Sequence, residues 1–126
     1  MTSERRRAVV AGHGSFAEGT ISAVAQIAGL ADLFVPVTNT GLSLEGLEDT
    51  IRARLRESGA RIVFTDLPAG SCTLAARRIA RTDPGLIVIT GVGLPTLLAF
   101  ACGGDLSSAT ERGREAIAQV EGPRDP

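Results

Sequence analysis

Four short apolar runs at fairly even spacing constrain the fold of this chain more than any other feature of its sequence. Each run has the length of a buried strand, and the segments between the runs have helical character. Strands that alternate with helices form βαβ units, whose right-handed crossovers build a parallel sheet. The sequence therefore predicts a doubly wound α/β fold with strands at AVVAG (8–12), LFVPV (33–37), RIVFTD (61–66) and LIVIT (86–90).

A proline in the second run indicates the order of the strands. Pro36 cannot donate a hydrogen bond to a neighbouring strand, so strand 2 is expected at a sheet edge, which the order 2-1-3-4 satisfies. In an open parallel sheet the functional site lies beyond the carboxyl ends of the strands, where the strand order reverses. We therefore expect the site between strands 1 and 3, in the loops GHGSF and TDLPAGS, with TGVGLP beside them.

Two segments predict helix ends. The segment SLEGLEDTIRARLRES predicts an amphipathic helix with Ser43 as its N-cap and Gly59 as its C-terminal stop. Ser108 and Glu111 have the spacing of a capping box, so a last helix is expected to start there. Gly113 is a candidate for an early end of that helix, and periodicity does not decide between helix and edge strand for 114–121.

Length and cysteine content limit the class of protein. A chain of 126 residues predicts one domain, 1–126, with frayed ends at 1–6 and 122–126. Cys72 and Cys102 are far apart in the sequence and predict no disulfide framework, which favours the reducing cytoplasm. No run is long enough for a signal peptide or a membrane span, so we predict a cytoplasmic protein without membrane insertion.

Composition excludes several kinds of chemistry. The net charge is −1 and aromatic residues make up only 3% of the chain, which argues against a nucleic acid partner. All 13 basic residues are arginines, so Schiff-base, lysine-base and P-loop lysine chemistry are excluded. One histidine and two distant cysteines do not make a credible zinc set, so we predict no metal and no cofactor.

The sole histidine is the main candidate for chemistry. His13 closes strand 1 and Asp66 closes strand 3, so in the predicted order both lie on adjacent strands at the same edge. A carboxylate that accepts a hydrogen bond from one imidazole nitrogen fixes the tautomer and leaves the other nitrogen as a nucleophile or base. The same carboxylate stabilises the cationic imidazole that forms after attack.

A turn of small residues comes after Asp66 and leads into a helix. The backbone N–H groups of Gly70, Ser71 and Cys72 are expected to point outward at the helix N-terminus, which is a ready-made anion site. The hydroxyls of Ser71 and Thr73 are candidates for further donors. Gly14 allows close approach to the imidazole and is expected to belong to the phosphate-binding site as well. An oriented imidazole, a carboxylate and an anion cradle together predict phosphoryl transfer through a phosphohistidine.

Each of these residues also has an ordinary structural explanation. A lone histidine between glycines is equally typical of a surface loop, and an aspartate at a strand end is typical of a helix cap. Cys72 and Cys102 are typical of small buried hydrophobic positions. The predicted adjacency of His13 and Asp66 is what favours a functional site.

Other classes of function fit the residues less well than a phosphohistidine carrier. A receiver domain shares the sheet and a strand-3 aspartate, but it needs an acidic cluster after strand 1 and a lysine, and the sequence has neither. A hydrolase that uses Ser71 lacks the GxSxG elbow. A non-catalytic regulatory domain that binds an anion reversibly in the same crevice stays open as an alternative.

Three segments together resemble the IIA domain of the mannose family of the bacterial phosphoenolpyruvate-dependent sugar phosphotransferase system. They occur in the family's order and at its spacing, and they span most of the domain. The first is similar to the family's histidine loop and first helix, the second to its third strand and turn, and the third to its fourth strand and helix. They are GHGSFAEGTISAVAQIAG (12–29), VFTDLPAGSCTLAARRIA (63–80) and IVITGVGLPTLLAFA (87–101).

This resemblance implies a phosphocarrier that accepts a phosphoryl group from phospho-HPr and passes it to a IIB component. By motif position it assigns the phosphorylated Nε2 to His13, the orienting carboxylate to Asp66 and a phosphate-facing hydroxyl to Ser71. It also implies a homodimer in which 114–121 forms an antiparallel edge strand, often exchanged between subunits. The related phosphocarrier that feeds dihydroxyacetone kinases is the alternative within this class.

Two loops depart from the family pattern. The family turn usually reads FGGSP followed by asparagine, whereas this chain has PAGSC at 68–72 and then Thr73 and Leu74. In the fourth loop, Gly93 and Thr96 stand where the family usually has asparagine and methionine. Since His13, Asp66 and Ser71 are retained, the phosphoacceptor chemistry is expected to persist while partner and sugar specificity are left undetermined.

Overall fold

The computed structural model describes residues 6–124. Four strands alternate with helices along this part of the chain, as the spacing of the apolar runs predicts. The elements are β1 (Ala8–Gly12), α1 (Phe16–Ala28), a 3-10 turn (Ala31–Leu33), β2 (Phe34–Thr38), α2 (Leu44–Ser58), β3 (Ile62–Thr65), α3 (Ser71–Ala80), β4 (Ile87–Ile89), α4 (Leu94–Ala101) and α5 (Leu106–Glu115).

The four strands form one parallel sheet in the order β2-β1-β3-β4, which confirms the predicted order. Val10 of β1 lies between Pro36 of β2 and Phe64 of β3. Pro36 is therefore on an edge strand, where its missing N–H does not interrupt the sheet. This order makes β1 and β3 neighbours and brings their carboxyl ends side by side.

Alternate residues of β1 face two separate hydrophobic layers. Ala8 and Val10 lie in a layer with α1, α4 and α5 that contains three packed rings, Phe34, Phe64 and Phe100, with centroids 5.3 to 6.4 Å apart. The other layer is aliphatic and packs α2 and α3 on the opposite face. Because strand side chains alternate between the two faces, a sheet with helices on both faces needs apolar residues at every strand position.

Helix α2 begins and ends as its sequence predicts. The Ser43 hydroxyl accepts a hydrogen bond from the backbone N–H of Gly46 at 3.0 Å, which satisfies one of the free donors of the first turn. Gly59 ends the helix in the left-handed region at φ 74°. These are local signals, so the sequence is sufficient to place them.

Helix α5 begins earlier than predicted. The Asp105 carboxylate caps it by accepting a hydrogen bond from the N–H of Ser108 at 2.8 Å, so the predicted start at Ser108 is wrong. Aspartate and serine are both good N-caps, and Asp105 lies one turn earlier. Gly113 does not end the helix but lies within it. A Cβ at this position would collide with the Thr96 hydroxyl of α4, so the packing of α5 on α4 requires glycine here.

The segment 117–124 has no helix or strand in this chain. The strand expected over 114–121 is not formed here, since α5 continues through Glu115 and occupies the first positions of that segment. Ile117 and Val120 are 86% and 90% exposed, so two apolar side chains of the segment have most of their surface in water.

Arg6, at the start of the described residues, contacts α4 and the turn that follows it. The Arg6 guanidinium donates to the carbonyl oxygen of Gly104 at 2.6 Å and lies 4.3 Å above the ring of Phe100. Fraying at 1–5 and at 125–126 concerns positions outside the described residues. Within 6–124, no helix combines the length and the apolar character needed to cross a membrane.

Candidate functional site

The structure brings His13 and Asp66 into direct contact at the carboxyl edge of the sheet. His13 comes directly after β1 and Asp66 directly after β3, and these two strands are neighbours. His13 Nδ1 lies 2.8 Å from Asp66 Oδ2, and the backbone N–H of His13 donates to the same oxygen at 2.8 Å. The carboxylate therefore holds both the loop and the ring of the histidine.

The charge of Asp66 fixes the tautomer of the imidazole. Burial raises the pKa of Asp66, but the hydrogen bonds from the backbone and ring of His13 outweigh this effect and hold the pKa below its usual value. The group is thus an acceptor at neutral pH, so Nδ1 carries the proton in the neutral ring. Nε2 is left with a free lone pair.

The edge of the imidazole that carries Nε2 lies against Gly70. A Cβ built at Gly70 would be 3.4 Å from Cε1 and 4.0 Å from Nε2 of His13. Gly70 has φ +119°, a backbone conformation that residues with a side chain rarely adopt. A glycine at this position lets the backbone before α3 approach the ring closely. The His13 side chain remains 44% exposed, so the ring is also open to a partner.

The N-terminus of α3 adds uncompensated donors next to the ring. No side chain caps this helix, and its first residue, Ser71, has a buried hydroxyl with no hydrogen-bond partner. A buried polar group without a partner is costly, and it is typical of sites that bind a ligand. Gly70 lies next to the His13 ring and leads directly into Ser71 and Cys72, and the role of this turn as an anion cradle stays a prediction.

Cys72 lies behind the cradle. Its thiol is buried, and this burial, together with the nearby charge of Asp66, raises its pKa to about 11. The free thiol is therefore protonated at physiological pH. Cys102 was also expected to be buried, but it is exposed, since it ends α4 immediately before a turn of two glycines.

The Thr73 hydroxyl faces the interior, which corrects the expectation that it adds a donor to the cradle. It donates to the carbonyl oxygen of Leu67 at 2.6 Å and lies 2.7 Å from the buried hydroxyl of Thr65. These contacts tie α3 to the turn that carries Asp66. Two threonines eight residues apart carry no local signal, so only the folded turn reveals this role.

Strand β2 supports the histidine loop through residues that the sequence motifs do not include. The Thr38 hydroxyl donates to the carbonyl oxygen of Gly14 at 2.8 Å, and the N–H of Asn39 donates to the carbonyl oxygen of Gly12 at 3.3 Å. The N–H of Gly14 donates to Asn39 Oδ1 at 3.4 Å. Gly14 thus reaches a phosphate through its N–H only if this long hydrogen bond gives way. The polar triplet TNT after the second apolar run is the signal for these residues.

The fold is that of an α/β protein with a site at the carboxyl edge of an open parallel sheet. A family model described as "PTS system fructose IIA component" matches residues 7–118. The chain belongs to this mannose-type IIA family of the phosphotransferase system, as its motifs indicated. No protein in the search of curated proteins matches the sequence significantly.

Solved structures share the fold over nearly the whole chain. The mannose/sorbose specific IIA subunit from Enterococcus faecalis is 25% identical, with a TM-score of 0.82 over 98% of this chain and 100% of that one. The PTS IIA protein associated with the fucose utilization operon from Streptococcus pneumoniae is 22% identical, with a TM-score of 0.81 over 94% and 96%. A sigma-54 interaction domain protein from Enterococcus faecalis is 13% identical, with a TM-score of 0.64 over 91% and 92%. The last two show similarity of fold alone.

Proposed function

We propose that this protein is a phosphocarrier that accepts a phosphoryl group on Nε2 of His13 and passes it on. One observation carries the proposal: the Asp66 carboxylate holds Nδ1 at 2.8 Å, while the Nε2 side of the ring lies at the open N-terminus of α3. The family to which the chain belongs supports the same role, since its members are phosphotransferase components.

The proposed transfer of the phosphoryl group uses the free lone pair on Nε2 of His13. The lone pair of Nε2 attacks the phosphorus of the donor, a P–N bond forms, and the bond between phosphorus and the donor nitrogen breaks. The ring becomes cationic, and the Asp66 carboxylate stabilises that charge through the proton on Nδ1. In this proposal the N–H groups at Gly70, Ser71 and Cys72 and the Ser71 hydroxyl neutralise the phosphoryl oxygens. Transfer to the acceptor reverses these steps.

The partners that we propose are HPr as donor and a IIB component as acceptor. Exposed leucines near the site support docking of a protein, since Leu42, Leu67 and Leu74 are each between 41% and 48% exposed. Leu67 Cδ1 is 3.6 Å from the position of a Cβ on Gly70, which places it directly beside the His13 ring. When a partner protein covers such leucines, their burial contributes affinity around the polar His13 and Asp66 pair.

We further propose that the chain acts as a single cytoplasmic IIA domain and forms a homodimer. β4 is an edge strand of the sheet, and the segment 117–124 leaves Ile117 and Val120 exposed. An open strand edge and an uncovered apolar segment in one molecule are complementary to those of a second copy. This arrangement supports an antiparallel edge strand supplied between subunits.

A transfer assay with phosphoenolpyruvate, enzyme I and HPr tests the proposal. We expect wild-type protein to carry an acid-labile, alkali-stable label and His13→Ala to carry none. Asp49→Asn, which alters an exposed carboxylate on α2, is the matched control for Asp66→Asn and is expected to label like wild type.

The acceptor distinguishes the two kinds of carrier. Transfer of the label from His13 to a IIB component supports the sugar phosphotransferase role, and transfer only to a dihydroxyacetone kinase subunit contradicts it. A wild-type protein that stays unlabelled beside fully labelled HPr refutes the phosphocarrier and favours a regulatory domain that binds anions reversibly.

A further inference from the structure

Three different metal-binding side chains meet at the carboxyl edge of the sheet, and one of them is His13, the proposed phosphoacceptor. His13, Asp66 and Cys72 come from the ends of two strands and the start of α3, and one ligand atom from each lies within 4.8 Å of the others. Among residues 6–124, no other group of histidine, cysteine and carboxylate side chains satisfies this criterion. We propose that these residues form an inhibitory site for Zn²⁺, which competes with phosphorylation of His13; the inhibitory consequence rests on the proposed phosphocarrier function, whereas the binding site does not.

The donor set suits zinc by its chemistry. Imidazole nitrogen, thiolate sulfur and carboxylate oxygen are the three ligand types that Zn²⁺ uses in proteins, and three protein ligands leave a fourth position for water. Zinc–ligand bonds of about 2.0 to 2.3 Å separate tetrahedral ligand atoms by roughly 3.3 to 3.8 Å. Since the present atoms lie within 4.8 Å of each other, a change of at most roughly 1.5 Å in any separation brings them to these values. Histidine and cysteine spacing alone predicts no zinc site, but the fold adds a carboxylate and brings Cys72 close.

An unpartnered atom points independently to a ligand at this position. The Asp66 side chain is only 10% exposed, and its Oδ1 is buried without a hydrogen-bond partner, because both contacts with His13 use Oδ2. A buried carboxylate oxygen without a partner costs free energy that a cation would recover. Zn²⁺ satisfies this oxygen directly.

Zinc binding and phosphoryl transfer use the same groups. On binding, the Cys72 thiol loses its proton to solvent and the thiolate coordinates the metal. A metal-bound His13 has either its nucleophilic nitrogen occupied or its Nδ1 separated from Asp66, and both changes remove the arrangement that transfer needs. The bound cation would therefore lower the rate of phosphorylation in proportion to its occupancy.

Cobalt spectroscopy tests the site without any phosphotransfer partner. Metal-free protein is titrated with Co²⁺ without oxygen, and we expect one equivalent to give a thiolate-to-cobalt charge-transfer band and the visible spectrum of a tetrahedral site. Cys72→Ser removes the band and weakens binding at least about 100-fold, since even loss of an outer-shell partner weakens metal sites by about 10 to 100-fold. Cys102→Ser is the matched control, because its thiol is exposed at the end of α4, and it retains the wild-type spectrum.

The sole histidine provides a second readout. With one imidazole in the chain, its two ¹⁵N resonances are unambiguous, and Zn²⁺ is expected to shift one of them in wild type. No charge-transfer band in wild type, a band lost only in Cys102→Ser, or an unshifted imidazole at saturating Zn²⁺ overturns the proposal. Because these readouts need no HPr, a protein that fails to accept phosphate but binds Co²⁺ through Cys72 refutes only the proposed function.

Discussion

The carboxyl edge around His13 and the C-terminal segment 117–124 differ in how many of their side chains find partners within this one chain. At the edge, the histidine loop has hydrogen-bond partners on β2 and on Asp66, and among its buried side-chain atoms within residues 6–124 the Ser71 hydroxyl and Asp66 Oδ1 lack a partner. In the segment, Ile117 and Val120 have almost their whole surface in water.

This difference separates a site whose groups contact one another within the chain from a segment whose apolar side chains the chain leaves exposed. Hydrogen bonds to neighbouring loops hold the His13 region in place whether or not a partner is present. Apolar side chains in an extended terminal segment gain free energy only when another surface covers them. The contact between His13 and Asp66 is therefore expected to survive changes in the C-terminal segment, and variants of the two regions test that independence.

The largest effect is expected at the His13 and Asp66 pair. Asp66→Asn keeps the shape of the side chain but removes the charge that stabilises the cationic imidazole, so the rate of phosphorylation should fall about 100-fold or more. Initial rates with purified phospho-HPr measure this change. A rate within about twofold of wild type would show that the carboxylate has no part in transfer.

Removal of the C-terminal segment should affect association and leave the site intact. A chain that ends at Ala116 loses Ile117 and Val120, whose burial contributes roughly 1.5 to 3 kcal/mol each, so the dimer dissociation constant should rise at least about 100-fold. Sedimentation equilibrium measures this constant. The full-length double variant Ile117→Ser/Val120→Ser is the matched control for loss of the backbone, and an unchanged dimer in both proteins contradicts the role of this segment.

The threonine contacts behind the site are expected to have an intermediate effect on folding. Thr73→Val removes the 2.6 Å hydrogen bond to the carbonyl oxygen of Leu67 and the 2.7 Å contact with the buried Thr65 hydroxyl, which should lower the free energy of unfolding by about 1 to 3 kcal/mol. Urea denaturation measures the change. Ser22→Ala, at an exposed position of α1, serves as the comparison and is expected to remain within about 0.5 kcal/mol of wild type.

The smallest effect is a dependence of stability on pH. The folded pKa of Asp66 is lowered, so its ionised form adds stability above the unfolded pKa of about 3.9, and this stability is lost as pH falls through the folded value. The stability difference between wild type and Asp66→Asn should therefore shrink as pH falls below about 4. Asp83 and Asp105, whose pKa values are lowered by hydrogen bonds with Arg61 and Ser108, titrate in both proteins and cancel. A difference that grows on acidification contradicts the hydrogen-bonded carboxylate.

The strands, their order and the contact between His13 and Asp66 were predictable because their signals are local or depend on topology. Apolar runs indicated the strands, and a single proline indicated the order that places His13 beside Asp66. The start of α5 was not predictable in the same way, because Asp105 and Ser108 are both competent N-caps and only the packed helix selects between them.

The sequence by itself determined the parallel sheet, the ends of α2 and the meeting of the histidine with its carboxylate, since burial patterns and neighbouring strand ends depend on short segments. Only the tertiary structure decided that the Thr73 hydroxyl turns inward, that Cys72 comes within ligand distance of His13, and that the C-terminal segment stays uncovered. These outcomes depend on how α3 and α5 pack against residues distant in sequence. Contacts of that kind arise from the close packing of the whole domain rather than from any local pattern.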